Sequence, residues 1–326
     1  MKTTTIADIA SALGVSKASV SRAITGNGRI SQQTRARILN YMDERNFRPN
    51  VIAQSLANLK TYNIAFTVPG RQEFGEIPFF QKCLIGVCEK ALENGYDILV
   101  VTVDGDDISH MRRVVENGKV DGVVLSRNVD GDGMIGYLQS KGIPFVLVGT
   151  AGKPDVVQVD GDHTAACMEI TSLFTKAGKI GLIGGNQRHA VNQNRYRGFR
   201  QAAGQSAPVV WDAVDYHSVV GAFEALRAEG ARAVCCMDDI ICTHALSYLS
   251  KMNINIPRDV EMVSFYSSWL LDTHSPPIPS LYFDVREQGA VACDLLLRTM
   301  AGEPVPKRTL KGHELLHCAS VPGGCV

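Results

Sequence analysis

The chain has 326 residues, of which 45% are apolar and 20% charged, a balance typical of globular proteins and unlike that of disordered or coiled-coil chains. This length predicts two or three compact units. No signal-peptide core follows Met1, no stretch approaches the ~20 apolar residues of a membrane helix, and nine cysteines without a CxxC pair indicate reduced thiols, so we expect a cytoplasmic protein.

The charges are unevenly distributed, although the net charge is zero. Residues 1–60 carry nine Lys or Arg and three Asp or Glu, which makes this segment +6 and the remainder −6. A basic segment of this kind suits a polyanion such as DNA. We therefore expect a basic N-terminal head on an acidic body.

Residues 1–46 are predicted to form the first unit, an all-α head. The spacing predicts helices over residues 5–12, 17–25 and 31–45, with a turn at residues 14–16. Thr5 is suited to cap the first helix, and Pro49 prevents the third from continuing. Residues 47–60 then contain a fourth helical stretch, NVIAQSLAN, which is too short to be stable alone and needs a partner to fold.

From Tyr62 onward, apolar runs of strand length alternate with amphipathic helices. The strands are predicted at YNIAFTV, YDILVVT, DGVVLS, PFVLVG, IGLIGG, AVCCM and EMVSF. The helices are predicted near 79–93, 107–117, 132–141, 163–177, 192–203, 217–228, 239–252 and 286–301. Continuous apolar strands between helices indicate parallel sheets covered on both faces. We expect two such sheets, with a ligand between them at the carboxyl ends of their strands.

The sequence does not favour an enzyme or a metal protein. The eight histidines are dispersed, without HxxxH or HExxH spacing, and no GxSxG or Walker A motif occurs. The run IGLIGGN places a glycine pair after a strand but lacks the third glycine of a dinucleotide fingerprint. We therefore expect no cofactor and no catalysis.

The segment IADIASALGVSKASVSRAITGNGRISQQTRARIL resembles the helix-turn-helix of the lactose-repressor (LacI/GalR) family. The motifs that carry the resemblance are the ALGVS turn, VSR in the second helix, S-x-x-T-R at the third, and RPN before A-x-x-L. The resemblance covers residues 5–58 and extends more weakly through the rest of the chain. It implies a DNA-binding transcriptional regulator.

The second helix is the predicted DNA-reading element. By resemblance to the family, Lys17, Ala18 and Arg22 contact base edges in the major groove, where an arginine can bond guanine in bidentate fashion. In the fourth helix, Asn50 and Ala53 would enter the minor groove and Leu56 would wedge between base pairs. The remaining predicted contacts are Thr5, Ser16, Ser19, Ser21 and Ser31. Helix capping or simple solvation is the alternative for each serine, and packing on the core is the alternative for Leu56.

The larger part of the chain resembles the family's two-subdomain sensor, which is similar to periplasmic sugar-binding proteins. The fragments that support this are KVDGVVLSR, IPFVLVG, VQVDGDHTAA, NQNRYRGF and LYFDVREQGAVACDLLL. The predicted core is residues 61–326. Its N-subdomain is expected at about 61–158 and 286–312, and its C-subdomain at about 159–285 and 313–326.

Seven residues are predicted to contact the effector: Phe79, Ser126, Arg195, Asp238, Tyr266, Trp269 and Phe283. Arg195 occupies the family's ligand-contacting position in R-x-x-G-F, with a salt bridge as the alternative role. Asp238 replaces the family's usual Asn, and Asp239 could cap the following helix. The aromatic residues are as compatible with a core as with a ligand platform.

The family's usual Gly-Phe-Asp-Asp is replaced here by SFYSS at residues 264–268. Tyr266 and Ser267 therefore stand where the family has two aspartates. This departure indicates an effector geometry that differs from that of the family.

Together these features predict a homodimeric repressor of a carbohydrate-utilisation operon. It would dimerise along the core, with residues 79–93 as a candidate face, and bind a pseudo-palindromic operator. A small sugar, with maltose or another α-glucoside as the candidate, would release it. The alternatives are a sugar phosphate or non-sugar effector, a corepressor-dependent repressor, and a solute-binding protein.

Overall fold

Three helices form the N-terminal unit of the computed structural model, which describes residues 5–25, 28–45, 47, 60–70, 78–104, 106–129, 131, 133–174 and 178–318. This unit extends from Met1 to Thr61, and a second extends from Tyr62 to Val326. The helices are α1 (Ile6–Leu13), α2 (Lys17–Thr25) and α3 (Gln32–Glu44). Their bounds agree with the predicted ones to within one residue.

Local hydrogen bonds set the ends of these helices. The Thr5 hydroxyl accepts from the Asp8 amide at 3.3 Å, and the Asp8 carboxylate accepts from the Thr5 amide at 2.8 Å, forming a capping box. Gly14 ends α1 in the left-handed conformation, at φ 65°, which glycine adopts without steric cost. Ile9 and Ile38 are fully buried in the small core that holds the head together.

The first part of the second unit, the N-subdomain, is a parallel sheet covered by helices. Its strands are β1 (Asn63–Pro69), β2 (Asp97–Val103), β3 (Gly122–Leu125), β4 (Phe145–Val148), β5 (Gln158–Gly161) and β11 (Arg308–Lys311). They lie in the order β11-β5-β4-β3-β1-β2. Its helices are α4 (Pro78–Glu93), α5 (Ser109–Glu116), α6 (Met134–Ser140) and α12 (Val285–Met300).

The C-subdomain contains a second sheet of the same kind. Its strands are β6 (Ile180–Ile183), β7 (Val209–Val210), β8 (Ala233–Cys236), β9 (Glu261–Ser264), β10 (Ser280–Tyr282) and β12 (Glu314–Leu316). They lie in the order β12-β10-β9-β8-β6-β7, and only β12 is antiparallel to its neighbour. Its helices are α7 (His163–Ser172), α8 (Ala190–Ala203), α9 (Tyr216–Ala228), α10 (Asp239–Lys251) and α11 (Trp269–Asp272).

The described chain crosses between the two sheets three times. It leaves the N-subdomain after β5, returns between β10 and α12, and leaves again between β11 and β12. Because β5 pairs with both β4 and β11, the first crossover follows Gly161, a few residues beyond the boundary expected at about 158. The crossovers leave the carboxyl ends of the two sets of parallel strands facing a common cleft.

Burial in the core follows from the apolar strand sequences. Every residue of β3, β6 and β8 is buried, as expected for parallel strands covered on both faces. Of the eight cysteines in the described residues, seven are buried and all are free thiols, while Cys88 is exposed. No helix in the described part of the chain has the length and apolar character needed to cross a bilayer.

Helices α4 and α12 approach each other closely through two glycines. A Cβ atom at Gly86 of α4 would overlap the carbonyl oxygen of Arg286, and one at Gly289 of α12 would overlap that of Cys83. Both obstacles are backbone atoms, which move only if the helices separate. Glycine is therefore required for the contact that holds α12 on the N-subdomain.

We predict that Gly86→Ala destabilises the core by about 1 to 3 kcal/mol through overpacking. Gly136→Ala in α6 is the control, because no atom lies within 4 Å of the added Cβ. Alanine there should stabilise the protein by roughly 0.5 to 1 kcal/mol through helix propensity. Urea unfolding measures both changes, and a similar effect of the two substitutions would contradict the packing argument.

Candidate functional site

The exposed face of α2 brings together the predicted base-reading residues. Lys17, Ala18, Ser21 and Arg22 are all exposed, and their spacing along the helix places them on one face. Val20 points the other way and is fully buried in the head. The helix therefore presents a cationic side chain at each end of a face that is free to enter a groove.

The predicted hydroxyl contacts at the helix ends act as caps. Thr5 caps α1, the Ser16 hydroxyl accepts from the Ser19 amide at 3.0 Å, and the Ser31 hydroxyl accepts from the Thr34 amide at 3.1 Å. These bonds favour the capping alternative for Ser16 and Ser31, although both residues remain exposed. The predicted minor-groove residues Asn50, Ala53 and Leu56 lie outside the described residues.

One further bond fixes α3 against α1. Arg37 of α3 donates from Nη2 to the carbonyl oxygen of Leu13 at 2.7 Å, which satisfies an orphan carbonyl at the end of α1. Arg29 and Arg35 are exposed. The head is thus a rigid support whose surface carries several arginines.

A cavity of about 270 Å³ lies between the two subdomains. It is lined by residues that follow β3, β4, β5, β6, β8, β9 and β10, where the carboxyl ends of parallel strands meet, and by the first turns of α4, α8 and α12. Six of the seven predicted effector residues line it. These six are Phe79, Ser126, Arg195, Asp238, Tyr266 and Phe283.

Trp269 does not line the cavity, contrary to the sequence prediction. It is 62% exposed, at the start of the short helix α11. The Ser268 side chain caps this helix by accepting from the Leu270 amide, and Leu271 occupies the buried position. Tyr266, three positions earlier, is the aromatic residue of this segment that lines the cavity.

Arg195 is the buried cation of the C-subdomain side of the cavity. Its Nη1 donates to the carbonyl oxygen of Met237 at 2.7 Å, and its guanidinium carbon lies 5.9 Å from the centre of the Tyr266 ring. No ion pair involves Arg195 among the described residues, so the bond to Met237 replaces the salt bridge that was the alternative. Its Nε is buried without a hydrogen-bond partner in the described structure.

Two adjacent carboxyl groups follow β8 beside Arg195. Asp238 caps α10 by accepting from the Ile241 amide at 2.9 Å, whereas Asp239 accepts from the Ser268 hydroxyl. The sequence had suggested Asp239 as the cap of this helix, but in the structure the cap is Asp238. Burial raises the pKa of both carboxyls, and burial together with the neighbouring Asp238 raises the pKa of Asp239 to about 6.

A second polar group, which the sequence analysis missed, lies where the chain leaves β5. Asp160 is 3.1 Å from Nε2 of His163 and accepts from the Thr150 hydroxyl at 2.7 Å. Burial raises the pKa of Asp160, but His163, Thr150 and the Gly161 amide outweigh it and hold that pKa below its usual value. The His163 ring packs against Phe283, with ring centres 4.4 Å apart. The sequence signal for this group was the polar run VDGDH at residues 159–163, but β5, in which the run begins, had not been predicted as a strand.

Contacts at the mouth of the cleft join the two subdomains. Arg188 forms an ion pair with Asp106 at 2.6 Å, and the Ala190 amide donates to the Asn128 carbonyl at 3.2 Å. Beside them, burial and the neighbouring arginines lower the pKa of His189 to about 4. Deeper in, Phe79 and Tyr266 meet edge to face with ring centres 6.3 Å apart. The cavity is thus bounded by both subdomains.

Comparison with known families matches both parts of the chain. Residues 5–50 match the model of bacterial regulatory proteins, lacI family, and residues 175–315 match a periplasmic binding protein-like domain. The transcriptional regulator MalR of Streptococcus pneumoniae is 27% identical over 90% of this chain and 92% of its own length. DegA of Bacillus subtilis is 28% identical over 88% of each chain.

Solved structures confirm the predicted fold class, a helix-turn-helix head followed by a core of two parallel-sheet subdomains. The regulator CelR in complex with cellobiose superposes with a TM-score of 0.72 and 26% identity, covering 96% of this chain and 98% of CelR. The lac repressor dimer bound to operator and the anti-inducer ONPF gives a TM-score of 0.79 at 19% identity, over 96% and 98% of the chains. This second likeness concerns the fold alone.

The raised pKa of Asp239 predicts a pH-dependent stability. Between about pH 4 and pH 6 the folded core holds a proton that the unfolded chain has released, so stability falls as pH rises through this window. The total loss is on the order of 3 kcal/mol. Asp239→Asn still accepts from Ser268 and should remove much of this dependence, making the variant more stable than the wild type above pH 6. Urea unfolding from pH 4 to 7, followed by tryptophan fluorescence, would refute this if both proteins had parallel profiles.

Proposed function

Since this chain belongs to the LacI family of bacterial transcriptional regulators, we propose that it represses a carbohydrate-utilisation operon and is released from its operator by a small sugar. The observation that carries the proposal is the cavity at the strand ends, which Arg195 and Asp238 line together with the aromatic residues Phe79, Tyr266 and Phe283. The same chain carries the exposed face of α2. A sensor and a DNA reader are therefore joined in one polypeptide.

The DNA half of the proposal assigns α2 to the major groove. There the Arg22 guanidinium would bond guanine O6 and N7, and Ala18 would contact a thymine methyl. Lys17 would be the residue that determines which operator sequence is preferred. Ser19, Ser21 and the capped helix ends would lie near phosphates, which set the position without reading sequence. In this proposal Leu56 wedges between the central base pairs, with Asn50 and Ala53 in the minor groove.

A second copy of the chain is the proposed partner of α4. Ile85, Cys88 and Leu92 are exposed and recur at helical spacing along one face, and Leu92 is 76% exposed. Val100 is exposed on β2, the edge strand of the same sheet. Apolar residues on an exposed face and an unpaired edge are the features that a two-fold partner covers. Dimerisation would present two heads to a pseudo-palindromic operator.

The sugar half of the proposal relies on the chemistry of the cavity. A guanidinium donates hydrogen bonds to the hydroxyl oxygens of a sugar, a carboxylate accepts hydrogen bonds from its hydroxyl groups, and aromatic rings can cover its apolar faces. Among similar proteins, CelR was solved in complex with cellobiose, and another solved structure is a probable maltose operon repressor, MalR of Staphylococcus. They support a glucoside as the effector, with maltose or another α-glucoside as the first candidate.

The proposed switch is a change in the relation between the subdomains. A sugar bound by both subdomains would shift the equilibrium between their two arrangements. In the dimer this shift would separate the segments at residues 47–60 of the two subunits, which would weaken operator binding. Such couplings are typically ~1 to 3 kcal/mol. The opposite sign, in which a ligand strengthens repression, is the alternative outcome of the same experiment. The relatives named here are transcriptional regulators, and we propose that the cleft binds its ligand without converting it, in the cytoplasm where the operator lies.

The first test replaces the reading arginine while keeping its charge. Arg22→Lys loses the bidentate fork, so discrimination between the selected operator and a scrambled duplex should fall by about 1 to 3 kcal/mol. Affinity for the scrambled duplex should change little. Arg45→Lys, at the end of α3, is the matched control. Fluorescence anisotropy with an operator selected from a random library measures both, and undiminished discrimination in Arg22→Lys would contradict the assignment.

The second test addresses the sensor. Asp238→Asn keeps the cap of α10, because asparagine also caps helices, but removes the charge that strengthens a bond to a sugar hydroxyl. Operator affinity without sugar should be unchanged, whereas the sugar concentration needed for half-release should rise roughly tenfold, or about 1.5 kcal/mol. The panel contains glucose, maltose, cellobiose, trehalose and sucrose. If none of them changes the operator affinity of the wild type, the induction scheme is wrong.

A further inference from the structure

The backbone of Tyr62 has an unusual conformation at the point where the second unit begins. Among the described residues, four that are not glycine have a positive φ: Asp212, Asn253, His317 and Tyr62, whose φ is 56°. Aspartate, asparagine and histidine are found in this region more often than a bulky tyrosine, because the side chain crowds the following carbonyl. Such a conformation costs free energy, so other contacts must hold it.

Three contacts hold Tyr62 in this conformation. Its amide donates to Oδ2 of Asp121 at 2.9 Å, and its carbonyl oxygen accepts from the amide of Asp97 at 2.9 Å. Its ring packs against the buried ring of Tyr96, with ring centres 5.6 Å apart. The backbone donor, the backbone acceptor and the side chain of Tyr62 are therefore all bound to the core.

The next residue extends this attachment. Asn63 donates from Nδ2 to the carbonyl oxygen of Lys119 at 3.1 Å, and its own carbonyl oxygen accepts from the Asp121 amide at 2.8 Å. Asp97 begins β2, and Lys119 and Asp121 lie shortly before β3. Residues 62–63 are thus tied to both of the strands that flank β1 in the sheet.

This attachment lies at the opposite end of the sheet from the effector cavity. Tyr62, Asp97 and Asp121 mark the amino ends of β1, β2 and β3, whereas the cavity is lined by residues at the carboxyl ends of strands. Strand β1 has seven residues, which corresponds to roughly 23 Å at about 3.3 Å per residue. The contacts of Tyr62 are therefore separate from the sugar site.

We propose that Tyr62 is a positioning residue for operator binding, an anchor that fixes the direction in which the chain enters the core from the head. This inference rests on the proposed binding of a dimer to a pseudo-palindromic operator. Residues 1–61 carry the reading helix α2, and Tyr62 is the first residue of the unit that is proposed to dimerise. The two heads of a dimer keep a constant separation only if each chain leaves its core in one direction.

The fixed direction acts through the effective concentration of the second head. When one head is bound to its half-site, the gain from the other depends on how narrowly the connection holds it near the second half-site. Glycine occupies the left-handed region without strain but also adopts many other conformations. A glycine at position 62 would therefore keep the observed φ accessible and lose the direction. The anchored tyrosine reduces the conformational freedom that is lost on binding.

The test compares variants of the full-length protein on two duplexes. One carries the whole operator selected from a random library, and the other keeps one half-site and has the second scrambled. Tyr62→Gly frees the backbone, whereas Tyr62→Phe keeps the ring. Asp121→Ala removes the acceptor of the Tyr62 amide, whereas Asp121→Asn keeps one. Asn253→Gly is the matched control, because φ is 55° at Asn253 and this residue follows α10 in the C-subdomain.

Fluorescence anisotropy at low ionic strength, which strengthens the binding of a single half-site, gives both affinities. Analytical ultracentrifugation gives the dimer fraction of each variant at the same protein concentration. A variant with a damaged core has a lower dimer fraction, whereas a variant that has lost only the direction keeps the dimer fraction of the wild type.

We expect the wild type to bind the whole operator roughly a hundredfold more tightly than the half-site duplex. Tyr62→Gly and Asp121→Ala should reduce this ratio about tenfold through weaker binding of the whole operator, with an unchanged affinity for the half-site duplex. Tyr62→Phe, Asp121→Asn and Asn253→Gly should keep the ratio of the wild type.

Three outcomes would overturn the anchor and leave the proposed function standing. They are an unchanged ratio in both Tyr62→Gly and Asp121→Ala, a ratio that falls only together with the dimer fraction, and an equal fall in Asn253→Gly. If the wild type binds the whole operator no more tightly than the half-site duplex, the anchor and the proposed dimeric mode of operator binding fail together. Sugar sensing by the cleft would stand in that case.

Discussion

The buried guanidinium of Arg195 is the interaction on which the cleft depends. It projects from α8, and its charge is compensated by the Met237 carbonyl at the end of β8 and by the nearby Asp238 carboxyl. Burying a charge is costly unless it is hydrogen-bonded and paired. The protein satisfies only part of this group and leaves Nε without a partner in the described structure. A ligand hydroxyl can supply the missing hydrogen bond.

The head and the cleft differ in how far their polar groups are hydrogen-bonded within the described structure. The head satisfies its own helix ends through Thr5, Ser16 and Ser31 and presents a preformed face on α2. The cleft leaves polar atoms unsatisfied on both of its sides. This difference suits an allosteric regulator. The DNA-binding head can keep one conformation, whereas the effector-binding core must have two arrangements of comparable free energy.

The sequence predicted best those features that neighbouring residues determine. Caps and the turn at Gly14 are local, so the bounds of the head helices were predicted closely. Strands β5 and β11 were missed because they are short and partly polar, and because they pair with each other across about 150 residues of sequence. His163 and Gln288 were missed for the same reason, since the crossovers bring them to one cavity. Trp269 was misplaced because the Ser268 cap turns α11 so that Leu271 is buried and Trp269 exposed.

In the proposed regulator, one molecule couples sugar binding in the cleft to operator binding by the head. Linkage requires the coupling to be reciprocal. The most direct measurement is the affinity of the releasing sugar for the full-length protein, determined by titration with and without saturating operator. Saturating operator should weaken sugar binding by the same factor by which sugar weakens operator binding. An identical sugar affinity in the presence and absence of operator would contradict it.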